Sequence, residues 1–159
     1  MNKLIQMLAV GTMLAFGITT AASAAAADPV VGTWKLNLEK SKFAADRAPK
    51  SQTRVYSETA GGTKMSVNGV TANGSAMSME ATLTYDGKDV AVTGSPEFDS
   101  LVLTKVNGTT VKSEMKKDGK VVGHTTRTIS GKGKVLTLKT AMKTAKGGTT
   151  HDVAVFDKQ

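Results

Sequence analysis

The side chains that could carry chemistry are few and dispersed. Histidine occurs only at 124 and 151, and although Asp152 adjoins the second, the three lack any metal-ligand spacing. The absence of cysteine excludes thiol catalysis, thiolate ligands and disulfides. Ser57, Ser66 and Ser78 stand in no nucleophile-elbow context. Glu80 and Glu114 fall on the polar faces of their segments, and no glycine-rich phosphate loop leads into a helix. The expectation is therefore a protein that is not an enzyme and carries no cofactor and no metal. Two features remain. Met77 and Met79 share one face of an extended segment, where thioethers would suit a soft metal such as copper or, as expected here, fill an irregular apolar interior beside Met65 and Leu83. Arg127 alternates with Val121, Gly123, Thr125 and Ile129. It either points inward, needing an anion or acidic partner, or is turned to solvent at a rim or bulge.

The elements that would position these groups are strands. Beyond Asp28 no stretch keeps a helical period; ten segments alternate with period two between short Gly, Asn and Asp turns. The first, Val30 to Leu38, sets Val30, Gly32, Trp34, Leu36 and Leu38 on one face. Residues 39–50 carry scattered charges and Pro49 and form the longest linker. Further on, Asp86-Gly87, Asn107-Gly108 and Asp118-Gly119 are hairpin signals, because glycine accepts positive φ without a Cβ clash. A meander of this length must dispose of its edges, and closure does so. The expected fold is all-β: an antiparallel up-and-down barrel of eight to ten strands. A two-sheet sandwich is the alternative, though sandwiches favour longer crossovers than these tight turns.

The amino end reads as a secretory signal. Lys3 gives the positive start, Leu4 to Ile18 the apolar run, and Ala22-Ser23-Ala24 the cleavage site, which makes residues 1–24 the signal peptide; Ala25-Ala26-Ala27 is the alternative site. The apolar run spans about 15 residues, short of the roughly 20 a membrane-spanning helix requires. Cleavage leaves a single domain over 28–159, periplasmic or secreted, with no further transmembrane segment. Lys3 contributes one unit of the formal +8, so the mature chain carries +7. That charge suits contact with an anionic envelope surface. The bases are dispersed and stacking aromatics are scarce, which argues against nucleic acid.

The segment Gly32-Thr33-Trp34-Lys35-Leu36 resembles the Gly-x-Trp opening of the lipocalin and fatty-acid-binding-protein superfamily (calycins). The chain also resembles a group of bacterial exported proteins with a lipocalin-like domain. That likeness runs through Gly32 to Phe43, Tyr85-Asp-Gly-Lys88, Thr93-Gly-Ser-Pro96 and Lys117-Asp-Gly-Lys120. The resemblance implies that Trp34 closes the barrel floor beneath a basic side chain, Arg54 or Lys158. It also implies an internal arginine two residues before an aromatic on the last strand. Phe156 occupies the aromatic position, but Ala154 stands where the arginine belongs. Arg127 falls near the family's second internal arginine, and residues 39–50 are too short for its helical lid.

Together these readings predict a barrel that binds a small hydrophobic or amphipathic molecule. Its expected lining is Trp34, Met77, Met79 and Leu83 with Tyr85, and Leu101, Leu103, Arg127 and Phe156 opposite them. The competing expectation is a non-enzymatic envelope protein with a packed core and a basic exterior.

Overall fold

The computed structural model describes residues 28–44 and 46–159; the expected signal peptide lies outside the described residues. Ten strands follow one another: β1 (Gly32–Leu36), β2 (Ser51–Thr59), β3 (Gly62–Val70), β4 (Ala76–Leu83), β5 (Asp86–Thr93), β6 (Ser100–Lys105), β7 (Thr110–Lys117), β8 (Lys120–Ser130), β9 (Val135–Lys143) and β10 (Thr149–Lys158). Each pairs antiparallel with its sequence neighbours, and β1 closes on β10 through Trp34↔Lys158, Lys35↔Asp157 and Leu36↔Phe156. The result is a closed up-and-down barrel with no helix among the described residues. Closure gives every strand a neighbour on both sides.

The turns behave as their chemistry dictates in some places and not in others. Asp118 and Gly119 both have positive φ (50° and 73°), the geometry of a two-residue hairpin turn. At Asn107-Gly108 the Asn107 Oδ1 instead accepts the N–H groups of Thr109 and Thr110, which widens the connection to residues 106–109. Between β4 and β5 only Glu80↔Thr93 and Ala81↔Val92 are in register, and the expected Asp86-Gly87 hairpin turn is not formed: both residues belong to β5, where Asp86 pairs Thr104 of β6 and the register shifts before Asp89. Gly94 ends β5 at φ 81°, and a Cβ there would collide with the Ser78 carbonyl, so glycine is required.

The first strand is shorter than the alternation suggests. It stops at Leu36 because Asn37 turns the chain, donating from its side chain to Asp157 and accepting the Lys40 N–H. Leu38 is left 46% exposed rather than on the core face. Residues 37–44 and 46–50 contribute a strap without helix, pinned to β10 where Lys42 bridges Val153.

One end of the barrel is sealed. Trp34, Phe156, Leu136 and Val30 are fully buried there, and the Trp34 Nε1–H donates to the Val30 carbonyl at 2.7 Å. The Lys158 ammonium lies 5.1 Å from the Trp34 ring, so Lys158 is the basic cover of the floor. Arg54 covers a different ring, with its guanidinium 5.3 Å from Phe156.

Candidate functional site

Inward-facing residues do not fill the barrel. Above the floor lies a cavity of about 640 Å³, open at the opposite end and within the range that accommodates a small organic ligand. The strap (Phe43, Arg47, Pro49), the β3–β4 turn and the β5–β6 loop (Ser95 to Phe98) frame its mouth. The alternation of β4, β6 and β7 places Met77, Met79 and Leu83, then Leu101 and Leu103, then Met115 on the wall.

The inner end is cationic. On β2 the period of two sets Gln52, Arg54 and Tyr56 on the cavity wall. Arg54 donates to Gln52 Oε1 at 3.1 Å and approaches Tyr56 Oη at 3.5 Å, and no carboxylate pairs with it among the described residues. Arg127, 6% exposed, reaches the same space from β8. A bulge between Met115 and Lys116 resets the β7–β8 register upstream of it, and the inward alternation holds from Gly123 through Arg127 to Ile129. Its Nη2 donates to Tyr85 Oη at 3.0 Å and lies 3.9 Å from Asp28 Oδ1, while its Nε is buried without an acceptor. The inward reading of Arg127 is thus the one observed, with Asp28 as its acidic partner.

Burial alone would raise the Asp28 pKa, but the Val30 N–H, the Tyr85 hydroxyl, Arg127 and Lys105 outweigh it and hold the carboxyl below its usual 3.8. Burial, only partly offset by Arg127, raises the Tyr85 pKa, so that hydroxyl stays neutral. Because the folded Asp28 pKa is depressed, its contribution to stability is present above about pH 4 and is lost as pH falls through the folded value. Urea midpoints at pH 3 and pH 6 should therefore differ more for the wild type than for Asp28→Asn.

At the mouth Arg47 ties three elements together. Its Nε donates to Asp152 Oδ2 on β10 at 3.1 Å and its Nη1 to Glu97 Oε1 on the β5–β6 loop at 3.1 Å. The second Asp152 oxygen accepts the Ala44 N–H at 2.7 Å, which fixes the strap over the opening. Arg47→Ala should cost about 1–2 kcal/mol, the scale of hydrogen bonds to charged groups. Hydrogen exchange should show the Ala44 amide losing protection while β3 and β4 amides do not change.

Of the residues expected to form the site, Met77, Met79, Leu83, Leu101, Leu103 and Arg127 line the cavity together. Trp34 and Phe156 lie beneath it in the sealed floor, and Tyr85 stands behind Arg127 as its hydrogen-bond partner rather than on the wall. His124 and His151 are exposed on the outer face, in register on either side of Ala141. Sequence reasoning did not single out Tyr56, Asp28, Met115 or Met142. An Arg54-x-Tyr56 pair at strand spacing was the available signal, on the second strand instead of the last. No protein-family model matches the chain, and a search of curated proteins returns no match.

Proposed function

We propose that this barrel binds and carries a small amphipathic acid, apolar body toward the mouth and anionic group at the inner end. The observation that carries the reading is the cavity itself, where among the described residues Arg54 has no carboxylate partner and Arg127 Nε no acceptor. A cation held beside apolar walls is poorly solvated, so an anionic ligand group improves its environment. The closed barrel, the Trp34 floor and the short mouth strap support placing the protein beside the lipocalin and fatty-acid-binding-protein superfamily. Within that comparison Arg54 and Tyr56 of β2 take over the arginine-aromatic pair that Ala154 and Phe156 do not supply. The signal-like amino end supports a periplasmic or secreted carrier. An envelope scaffold with a packed core has less to support it, because such a protein has no use for a hollow of this size.

Native mass spectrometry of the protein purified without denaturation from its own cells tests this reading. The expected spectrum shows the chain with one bound small acid. A bare mass that persists after incubation with an extract of cellular acids would overturn it.

A further inference from the structure

Every methionine beyond residue 28 lines this cavity: Met65, Met77, Met79, Met115 and Met142. Four of them occupy the mouth-side half, Met77 and Met79 near the start of β4, Met115 near the end of β7 and Met142 near the end of β9. Two of the four sulfurs accept hydrogen bonds. Gln52 Nε2 donates to Met77 Sδ at 3.2 Å and the Thr125 hydroxyl to Met115 Sδ at 3.8 Å. Gly123 makes room for Met115 and Met142: a Cβ there would collide with Met142 Sδ and lie 2.9 Å from Met115 Cε. Two thioethers therefore lie side by side where any larger residue at 123 would push them apart.

Leucine would supply an equally apolar wall with better-defined rotamers. What thioethers add is polarisability and a favourable contact with the edges and faces of π systems. Phe43 and Phe98 complete the ring of soft groups at the same end, from the strap and the β5–β6 loop. The sulfurs come from β3, β4, β7 and β9, so thioethers line more than one side of the cavity.

Resting on the acid-binding reading above, we propose that the ligand class is a planar conjugated acid. Its ring system sits in the methionine belt, and a short stem carries its carboxylate down to Arg54. Fluorescence and calorimetric titrations with pyrenebutyrate and with dodecanoate, a saturated acid of comparable hydrophobicity, test this. Pyrenebutyrate should bind about tenfold tighter, as a few sulfur–aromatic contacts would give. In the Met79→Leu/Met115→Leu double variant, which keeps volume and apolarity, the ratio of the two affinities should shrink by a factor of roughly three or more. Equal affinities in the wild type overturn the conjugated-ligand inference and leave acid binding standing. Failure of both acids to bind overturns the acid-binding reading beneath it. If the double variant does not fold, the wild-type comparison still decides.

Discussion

Replacing Trp34 with alanine should lower the stability of the barrel by about 4 kcal/mol, the upper range for loss of a large buried aromatic. The ring is fully buried, its Nε1–H satisfies the Val30 carbonyl, and it underlies Lys158 at the seam where β1 meets β10. Removing it opens a void in the floor and orphans a buried acceptor next to the strand pair that closes the sheet. Thermal unfolding should shift down by roughly 10–20 °C. Trp34→Phe keeps most of the apolar volume but not the donor, so its cost should be about 1–2 kcal/mol. Equal losses for the two variants would mean that the hydrogen bond, not the packing, dominates at this position.

The second large effect belongs to Arg127. Truncation to alanine strips the charge facing Asp28, whose carboxylate side chain is 10% exposed, and should cost about 3 kcal/mol. Lys105, 3.5 Å from Asp28 Oδ2, keeps the loss below the extreme for an isolated buried ion. Adding Asp28→Asn removes the stranded charge, so the double variant should be more stable than Arg127→Ala alone. Urea unfolding of the four proteins in the cycle measures that difference. Strict additivity would show that Arg127 and Asp28 do not interact.

The strands were legible because alternation and turn residues report directly on a pleated, half-buried sheet. β7 runs between the Asn107-Gly108 and Asp118-Gly119 signals, as the turn chemistry leads one to expect. The first strand was misjudged at its far end, since Leu38 continues the alternation while a side-chain bond from Asn37 to Asp157, 120 residues away, turns the backbone. No local pattern encodes that contact. The inner end of the cavity was half legible for a similar reason. Arg127 could be assigned a face from its neighbours, but its partner Asp28 approaches from the start of the domain and Tyr85 from the connection between β4 and β5. Arg54 and Tyr56 sit on a strand whose core face carries Gln52 and Arg54, so hydrophobicity does not mark that face. Volume is the other property that composition conceals. Ala154, Thr125, Ser113 and Gly123 are small at inward positions, and only the closed geometry turns that smallness into a hollow.

Acid binding as proposed rests on the charge of the ligand as well as on its apolar body. Isothermal titration of the protein with dodecanoate and with dodecanol, repeated on Arg54→Gln, tests it most directly. The wild type should bind the acid about tenfold or more tighter than the alcohol, and Arg54→Gln should largely remove the difference, the scale of one charge-assisted interaction. Equal affinity of the wild type for acid and alcohol, or an acid preference untouched by Arg54→Gln, would contradict it.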